Sequence, residues 1–405
     1  MKKKNKKKTW IKKRHSIFRN VLYAILYPYS KIVYGFSVEK FKEEEDRPYL
    51  VLFNHQTAFD QFFVGMAFKK TIYYVASEDL FTKGFVSSVI KYVVAPIPIK
   101  KQSTDLGAIL NCVRVAKEGG SIAIAPEGNR TYSGKTGYMS DAIAPLAKKL
   151  KLPIALYRIE GGYGVQPRWS DKVRKGKMRG YVAKVIKPEE YATMTDKELF
   201  DVIESTLYVD EGVESGTFKH KKRAEYLERA MYVCPKCGLS TFYSHNHTIT
   251  CQKCGLKVDY GIDKRLTSFD KDFNFEFVSG WYDYQCNYVN SLNLLENTSV
   301  PYYNDQAKMF SVIPSKRKTL ISKNVNLALY GDKITVNGKN ANYVLNFEDV
   351  STVTVLGKNK LNVYYKDDVY QFKGDKHFNA LKYVNFYFRY KNIIKGEENG
   401  KFLGI

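Results

Sequence analysis

Short apolar runs alternate with longer amphipathic stretches between Tyr49 and Ile186. Apolar runs of about four to eight residues bounded by turn residues predict buried strands. Strands that alternate with helices predict an α/β fold with a mostly parallel sheet and flanking helices. The predicted strands are Tyr49–Phe53, Ile72–Val75, Ala95–Ile99, Ser121–Ala125, Ile154–Tyr157 and Arg179–Ile186. The clearest helix, Asp105–Lys117, ends at a pair of glycines.

The pattern changes in the second half of the chain. A charged helix is predicted over Lys219–Tyr232, an aromatic helix near Phe277–Leu294, and a final helix from Asp375 to about Tyr390. Between the last two helices, short apolar runs separated by glycine turns predict a set of strands. These strands are Asn326–Gly331, Lys333–Gly338, Tyr343–Phe347, Val350–Leu356, Leu361–Tyr365 and Val369–Phe372. Short strands closed by one amphipathic helix resemble a pleckstrin-homology-like β-barrel, so a small β-rich C-terminal domain is expected.

The N-terminal region combines a basic arm with an amphipathic helix. Nine Lys and Arg residues and no acidic residue lie between Lys2 and Arg14. Apolar residues then recur at helical spacing on one face: Phe18, Val21, Leu22, Ile25, Tyr29, Ile32, Val33 and Phe36. A basic arm followed by a Tyr-rich amphipathic helix suits the interface of an anionic membrane. The alternative is a solvated tail and a core-packed helix kinked at Pro28.

The composition of the chain limits the classes of protein to which it can belong. The 405 residues suggest two or three domains, and 44% hydrophobic residues are enough for ordinary cores. The longest apolar run, Val21–Tyr27, has seven residues, against the roughly twenty that a membrane-spanning helix needs. No small-residue cleavage site follows it, so we expect neither a signal peptide nor a transmembrane helix. Six cysteines are too few for a disulfide scaffold, which favours an intracellular protein. The net charge of +24 indicates a polyanionic partner, either lipid or nucleic acid.

The first predicted strand is followed directly by Asn-His-Gln-Thr-Ala-Phe-Asp, residues 54–60. With Thr57 as the N-cap of the next helix, Asp60 falls at the third helical position, where a carboxylate folds back toward the helix start. His55 then lies beside that carboxylate. A carboxylate on one ring nitrogen fixes the tautomer and makes the other nitrogen a competent general base for an alcohol. Taken alone, the pattern also fits a capping aspartate near a loop histidine.

A second segment, Pro-Glu-Gly-Asn-Arg-Thr at residues 126–131, follows the strand Ser121–Ala125. Gly128 permits a tight turn, and the planar guanidinium of Arg130 suits two phosphate oxygens. Glu127 is placed to hold that guanidinium. Taken alone, this segment also fits a surface turn with an ion pair.

Together the two segments resemble the glycerolipid acyltransferases, specifically the 1-acyl-sn-glycerol-3-phosphate acyltransferase family. The pattern H-x4-D follows one strand and P-E-G-x-R-[ST] follows a later one, with 72 residues from His55 to Glu127. Ala95–Lys101 and Leu152–Leu156 resemble the second and fourth blocks of the family. The resemblance covers roughly residues 20–210.

This resemblance implies that His55 takes the proton of a glycerol hydroxyl while the oxygen attacks a fatty acyl thioester. It implies that Asp60 orients His55, and that Arg130, helped by Lys101, binds the phosphate of the acceptor. The remaining implied substrate-binding residues are Glu127, Gly128, Asn129 and Thr131. The family commonly has Arg where this chain has Lys101, and Lys keeps the charge but loses the bidentate geometry. No catalytic cofactor is implied.

Four cysteines have the spacing C-x2-C-x13-C-x2-C: Cys234, Cys237, Cys251 and Cys254. Each pair is followed by glycine, which permits the tight turn that places two thiolates on one metal ion. Four thiolates predict a structural, tetrahedral zinc site in a ribbon, with two disulfides or free thiols as the alternative. His245 and His247 lie between the pairs and are expected to be solvated. Cys112 and Cys286 are expected to be core thiols.

The expected activity is therefore that of a 1-acylglycerol-3-phosphate O-acyltransferase, which makes phosphatidic acid in phospholipid biosynthesis. The expected partners are a lysophospholipid acceptor, an acyl donor carried by acyl carrier protein or coenzyme A, and an anionic membrane surface. We expect a monotopic or peripheral protein on the cytoplasmic face of the cell membrane. The alternatives are another lysophospholipid or glycerol-3-phosphate as acceptor, or a non-catalytic zinc-ribbon protein that binds nucleic acid or membranes. The aromatic helix beside the basic arm argues against nucleic acid.

The expected domain organisation follows from these assignments. It comprises the basic arm and interface helix at 1–36, the acyltransferase domain at 37–215, a linker helix at 216–231, the zinc ribbon at 232–264, and an aromatic helix with a β-barrel-like domain at 265–405.

Overall fold

The computed structural model describes residues 9–43, 48–81, 84–99, 105–213, 215–313, 317–397 and 402. The chain forms two compact units, each assembled from several segments. The first unit comprises Met1–Gly128, Met139–Glu160 and Met178–Val209. The second unit comprises Asn129–Tyr138, Gly161–Lys177 and Asp210–Ile405.

Helices and strands alternate in the first half of the chain, and strands predominate in the second. The α-helices are α1 (Lys13–Val33), α2 (Asp60–Ala67), α3 (Phe85–Val93), α4 (Leu106–Lys117), α5 (Ile143–Leu150), α6 (Gly162–Val165), α7 (Pro188–Tyr191), α8 (Asp196–Leu207), α9 (Val278–Ser291) and α10 (Leu381–Lys395). Short 3-10 helices lie at Glu78–Phe81, Leu227–Arg229 and Phe347–Asp349. The strands are β1 (Phe36–Val38), β2 (Leu50–Phe53), β3 (Ile72–Ser77), β4 (Ile97–Ile99), β5 (Ser121–Ile124), β6 (Ile154–Glu160), β7 (Met178–Ile186), β8 (Val233–Cys234), β9 (Gly238–Leu239), β10 (Phe242–His245), β11 (Thr248–Cys251), β12 (Lys257–Tyr260), β13 (Leu266–Thr267), β14 (Tyr303–Ile313), β15 (Arg317–Leu329), β16 (Lys333–Gly338), β17 (Ala341–Asn346), β18 (Val350–Leu356), β19 (Lys360–Tyr365) and β20 (Asp368–Lys373).

The first unit is built on a sheet of seven described strands in the order β1-β7-β6-β2-β5-β3-β4. Strands β6, β2, β5, β3 and β4 run parallel, whereas β7 is antiparallel to β6 and pairs in parallel with β1. All four residues of β2 are buried, as expected for a central strand covered on both faces. The core around it includes Leu50, Leu52, Ile122, Ile154 and Leu156. The predicted α/β fold with a mostly parallel sheet is confirmed.

All six strands predicted in this region are present, and each begins within two residues of the predicted position. Helix α4 is also confirmed, and the carboxylate of Asp105 caps it by accepting a hydrogen bond from the N–H of Ala108 at 3.1 Å. Strand β1 and helix α3 were not predicted.

Helix α1 confirms the amphipathic helix predicted near the N-terminus, with Pro28 inside it. The helix ends at Val33, so the prediction that Phe36 lies on its apolar face is wrong. Phe36 is buried in β1 and stacks on the ring of Phe63 with 4.3 Å between ring centroids, because tertiary packing outweighs the helical pattern. Residues 1–8 of the predicted basic arm lie outside the described residues. In the described part of the chain, no helix has the length and hydropathy that crossing a bilayer demands.

Helices α1 and α2 approach each other closely at Gly65 in α2. A Cβ atom added there would overlap the hydroxyl of Tyr23 in α1 and lie 2.8 Å from the hydroxyl of Tyr74. Replacing Gly65 with alanine is therefore expected to lower the free energy of unfolding by about 1–2 kcal/mol, because overpacking outweighs the gain in helix propensity. Urea denaturation measures this loss.

The control is Gly280→Ala in α9, where the added Cβ would meet only Phe275 Cδ1 at an ordinary 3.8 Å. That variant is expected to gain about 0.5–1 kcal/mol from helix propensity. Equal effects of the two substitutions would contradict close packing at Gly65.

The second unit contains the cysteine-rich module and the β-rich C-terminal region around one hydrophobic core. Strands β14–β20 form an antiparallel sheet in the order β17-β16-β15-β14-β20-β19-β18. In the cysteine-rich module, β8 pairs with β9, and β10–β13 form a second small antiparallel sheet. Trp281 of α9 is fully buried in this core and donates a hydrogen bond to the carbonyl of Val233 at 2.9 Å. The predicted β-rich C-terminal region and the helix near Phe277–Leu294 are confirmed; strand β14 was not predicted.

The helix predicted over Lys219–Tyr232 is wrong. Turns and the 3-10 helix Leu227–Arg229 occupy this segment, and Tyr226 has a left-handed φ of 75° that interrupts any α-helix. Arg229 is buried and donates to the carboxylate of Asp171 at 2.8 Å. Charged side chains such as that of Arg229, which the sequence pattern assigns to the solvated face of a helix, therefore make tertiary contacts.

The final helix begins at Leu381, six residues later than predicted, and extends to Lys395. The preceding residues are held in a turn. The carboxylate of Asp375 accepts from the N–H of His377 at 2.8 Å, and the Asn379 side chain accepts from the N–H of Lys382 at 3.1 Å. Such local side-chain bonds compete with helix formation, which explains the later start.

Candidate active site

Two neighbouring parallel strands bring the candidate catalytic segments to one edge of the first unit's sheet. Strand β2 ends at Phe53 and strand β5 ends at Ile124, and the two strands pair in parallel register. The segments that follow them, 54–60 and 125–128, therefore start side by side at the carboxyl edge of the sheet, where α/β proteins bind their ligands.

His55 and Asp60 form the hydrogen-bonded pair that the sequence predicts. Nδ1 of His55 lies 2.7 Å from Oδ2 of Asp60. Asp60 is completely buried, whereas the side chain of His55 remains 25% exposed. The pair therefore joins a buried carboxylate to an imidazole that solvent, and hence a substrate, can reach.

Four further hydrogen bonds fix the carboxylate of Asp60. Its oxygens accept from the N–H of Gln56 at 2.6 Å, from the N–H of Thr57 at 2.9 and 3.0 Å, and from the hydroxyl of Thr57 at 2.6 Å. Because an ionised carboxylate only accepts hydrogen bonds, His55 must donate through Nδ1–H. Nε2 of His55 then carries the lone pair of a general base.

The local backbone differs from the predicted capping arrangement. Helix α2 begins at Asp60 itself, two residues later than a Thr57 N-cap implies. The hydroxyl of Thr57 does accept from the N–H of Phe59 at 3.1 Å. The turn before α2 is wound around the carboxylate of Asp60, so the N–H groups of Gln56 and Thr57 both point at this one side chain.

Two side chains position the backbone around His55 through contacts that the sequence pattern does not indicate. The Asn54 amide donates to the carbonyl of Ile159 at 2.8 Å and accepts from the N–H of Ile159 at 2.7 Å. The buried carboxylate of Glu127 accepts from the N–H of His55 at 2.7 Å. These contacts tie the turn after β2 to β6 and to the segment that follows β5, so the position of the imidazole depends on both strands that flank β2.

Tyr157 in β6 lies completely buried in the same unit, and its hydroxyl donates to the carbonyl of Phe63 in α2 at 3.3 Å. Burial raises the pKa of Tyr157 well above its ordinary value, and the charge of Asp60 raises it further. The phenol therefore stays neutral at any physiological pH and keeps the proton that it donates to α2.

Two residues of the predicted substrate-binding set belong to the first unit. They are Glu127, described above, and Gly128, whose N–H donates to the carbonyl of Ala125 at 3.0 Å in an exposed turn. Lys101, the predicted partner of the phosphate-binding residue, lies outside the described residues.

The other three predicted residues, Asn129, Arg130 and Thr131, belong to the second unit. The carbonyl of Arg130 accepts from Nη1 of Arg168 at 2.9 Å. The buried hydroxyl of Thr131 accepts from the N–H of Gly134 at 3.0 Å. Within this unit, both contacts fix the backbone at and after Arg130, a residue that stays partly exposed.

The four cysteines Cys234, Cys237, Cys251 and Cys254 come together in the second unit. All four sulfur atoms lie within 4.8 Å of one another. The sulfur atoms of Cys234 and Cys254 are 3.6 Å apart, as are those of Cys237 and Cys251. Zinc–sulfur bonds of about 2.3 Å in a tetrahedron separate the sulfur atoms by about 3.8 Å, so this cluster has the dimensions of a zinc site.

The turns around this cluster support the same conclusion. Gly238 and Gly255, which follow the two cysteine pairs, have positive φ angles of 74° and 78°, as the predicted tight turns require. The hydroxyl of Ser240 lies 3.0 Å from the sulfur of Cys251 and can donate to a thiolate there. His245 and His247 are exposed and lie outside the cluster, as predicted.

Comparison with known proteins finds a family model that matches this part of the chain. The family model described as Acyltransferase matches residues 36–159, the part of the chain that carries His55, Asp60 and the segment 126–131. Over these residues the chain is similar to the acyltransferase family. Among solved structures, it is similar to the 1-acyl-sn-glycerophosphate acyltransferase PlsC from Thermotoga maritima. That alignment has 21% sequence identity and a TM-score of 0.39, and it covers 48% of this chain and 76% of that one. No curated protein sequence matches the chain.

Proposed function

We propose that this protein transfers a fatty acyl group from an acyl thioester to the free hydroxyl of 1-acyl-sn-glycerol-3-phosphate, giving phosphatidic acid. Acyl carrier protein or coenzyme A carries the donor thioester. The observation that supports this proposal most directly is the His55–Asp60 pair, which lies within the part matched by the acyltransferase family.

In the proposed reaction, the proton of the acceptor hydroxyl moves to the leaving thiolate, and a carbon–oxygen bond replaces the carbon–sulfur bond of the thioester. Nε2 of His55 takes the proton of the acceptor hydroxyl as its oxygen attacks the carbonyl carbon of the thioester. Asp60 stabilises the imidazolium that forms, through the hydrogen bond from Nδ1–H. The tetrahedral intermediate then collapses, the carbon–sulfur bond breaks, and the imidazolium returns the proton to the leaving thiolate. The products are the ester and the free thiol.

A screen of acceptors with one fixed thioester tests this proposal. Purified protein is given a palmitoyl thioester and, in separate reactions, lysophosphatidate, lysophosphatidylcholine or glycerol-3-phosphate, and release of free thiol is measured. Release that requires lysophosphatidate supports the proposed acceptor. Faster release with one of the other two acceptors would replace that acceptor, and no release above the acceptor-free rate would overturn the activity.

The phosphate of the acceptor is assigned to Arg130 on the basis of the family resemblance. Arg130→Lys keeps the positive charge and loses the planar pair of donors, so the KM for lysophosphatidate is expected to rise about tenfold or more, with a smaller effect on kcat. Steady-state kinetics measures both constants.

The control for this substitution is Arg179→Lys, at an exposed arginine of β7 paired with Glu160. It is expected to leave both constants unchanged. If Arg130→Lys leaves the KM for lysophosphatidate unchanged, Arg130 does not belong to the proposed phosphate site. Lys101 is then the next residue to substitute.

We also propose that the four-cysteine cluster binds one structural zinc ion. Four thiolates close the coordination shell, so such an ion would have no open position for a substrate or for water. A zinc ion would cross-link the two cysteine turns. No step of acyl transfer is assigned to it.

The proposed location is the cytoplasmic face of the cell membrane, with the protein bound peripherally. A substrate with a long acyl chain resides in the bilayer, and the apolar side chains that α1 exposes give the chain a surface for contact with it.

A further inference from the structure

The segment that carries Arg130 is fixed to the C-terminal sheet by the buried side chain of Arg168. Nη1 of Arg168 donates to the carbonyl of Arg130 at 2.9 Å, and Nη2 donates to the carbonyl of Val355 in β18 at 3.3 Å. The same guanidinium lies over the ring of Tyr132, 4.2 Å from its centroid. Within the second unit, Arg130 is therefore held beside the end of β18.

The turn between β18 and β19 carries a partly exposed lysine, Lys358. Its ammonium donates to the carboxylate of Asp171 at 2.7 Å, and its side chain is 30% exposed. An ammonium has three N–H donors. In the part of the chain that the structure describes, the bond to Asp171 is the one hydrogen bond that the Lys358 side chain makes. The ammonium can therefore donate to a ligand as well.

The carboxylate of Asp171 is shared with a second cation. The buried guanidinium of Arg229 donates to both of its oxygens, from Nη1 at 2.8 Å and from Nη2 at 3.3 Å. Arg229 also donates to the carbonyls of Trp169 at 2.9 Å and Lys376 at 2.7 Å, so its position is fixed. One carboxylate balances one of two cations. Because Arg229 forms the bidentate pair with Asp171, the positive charge of Lys358 is the one that a further anion can neutralise.

The electrostatics of Lys358 indicates a third cation nearby. Burial lowers the pKa of Lys358, and the charges of Arg229 and Arg130 lower it further, against the opposing effect of Asp171. Arg130 and Lys358 therefore lie close enough to repel each other. An anion bound by both side chains removes this repulsion and is attracted by both charges.

We propose that Lys358 binds the phosphate of the acceptor together with Arg130, and that it selects acceptors whose headgroup is a phosphate monoester. A monoester carries a charge of about −1.5 to −2 at neutral pH, whereas the phosphodiester of another lysophospholipid carries a single negative charge, so a second cation favours the monoester. The C-terminal sheet thereby takes part in substrate recognition. This inference rests on the proposed function, in which Arg130 binds the acceptor phosphate.

The test measures binding of the acceptor to the full chain without an acyl donor, so its outcome does not depend on turnover. Calorimetry compares hexanoyl lysophosphatidate with hexanoyl lysophosphatidylglycerol, since the short chain keeps both lipids dissolved. Lys358→Gln removes the charge and keeps a long polar side chain. The dissociation constant for lysophosphatidate is expected to rise about tenfold, because a hydrogen bond between charged groups is lost, and that for lysophosphatidylglycerol about threefold or less.

The matched control is Lys366→Gln, at a lysine in the turn between β19 and β20 whose ammonium lies 3.4 Å from the carboxylate of Asp349. This variant removes the same charge from the same kind of turn and is expected to bind both lipids as wild type does. Equal binding of lysophosphatidate by Lys358→Gln and wild type would overturn the inference. An equal loss in the control, or an equal loss for both lipids in Lys358→Gln, would overturn it too.

Two further measurements separate charge from folding and binding from activity. Lys358→Arg keeps the charge and is expected to bind lysophosphatidate within about threefold of wild type, so a loss as large as that of Lys358→Gln would contradict the role of the charge. Wild type itself is expected to bind the monoester about tenfold more tightly than the diester, and equal affinities would overturn the selection even where Lys358→Gln fails to fold. Wild type that binds lysophosphatidate and releases no thiol would overturn acyl transfer alone.

Discussion

Replacing His55 with alanine is expected to lower kcat for thioester-dependent acylation of lysophosphatidate by about 10²- to 10⁴-fold, the range typical for loss of a general base. The imidazole accepts the hydroxyl proton. The carboxylate behind it is buried and keeps its hydrogen bonds from backbone N–H groups when the imidazole is removed. The KM for the acceptor is expected to change little, because no binding group is removed. Release of free thiol measures the rate.

The chain offers a matched control in His245→Ala, an exposed histidine at the end of β10 in the cysteine-rich module. That variant is expected to retain the wild-type rate. Equal thiol release by His55→Ala and wild type would contradict the assignment of the base. Folding is checked by urea denaturation of both variants, since a general loss of structure would lower binding and kcat together.

Replacing Cys234 and Cys251 with serine is expected to eliminate bound zinc and to destabilise the second unit. Metal binding supplies on the order of 10 kcal/mol of folding free energy in small zinc peptides. The core of the second unit also stabilises this fold, so a smaller loss of about 4 kcal/mol or more in the free energy of unfolding is expected. Elemental analysis measures the metal content, and thermal unfolding measures the loss of stability.

Cys286→Ser is the control for thiol loss outside the cluster. Burial raises the pKa of Cys286 to about 12, so this thiol stays protonated and is not a metal ligand in the described cluster. The variant is expected to keep one zinc ion per chain. The metal site would be overturned if purified wild type contained no zinc and mass spectrometry showed that all four cysteines were paired as disulfides.

The parallel sheet was predictable because its strands are buried on both faces. In Ser121–Ile124 and Ile154–Glu160, apolar residues fill most positions, and the flanking glycines and prolines mark where each strand ends. The cysteine cluster was predictable for a different reason. Its ligands come in two local pairs, so spacing along the chain nearly determines spacing in the structure.

Helix α3 was not predictable by the same reasoning. It is nine residues long, and its N-cap is Gly84, which provides no side-chain cap to signal a helix start. Its apolar positions face solvent, whereas periodicity is normally interpreted as marking the side that packs inward. The helix predicted over Lys219–Tyr232 is wrong for the opposite reason. Its charged residues were interpreted as the solvent-exposed side of a helix, whereas they make tertiary contacts.

Within the candidate site, the pairing of His55 with Asp60 followed from local spacing, whereas its supports did not. Asn54 bonds to Ile159, 105 positions away, and Glu127 bonds to the backbone of His55, 72 positions away. Such contacts depend on which strands are neighbours in the sheet. Sequence periodicity identifies the strands and leaves their order open.

The interleaving of the two units constrains how the protein matures during translation. Tyr132 and Trp169 lie in the core of the second unit, yet most of that core is contributed by residues after Asp210. These two side chains leave the ribosome long before their partners are synthesised. Both apolar segments therefore stay exposed until most of the second half of the chain has been synthesised, which raises the exposure of the nascent chain to aggregation.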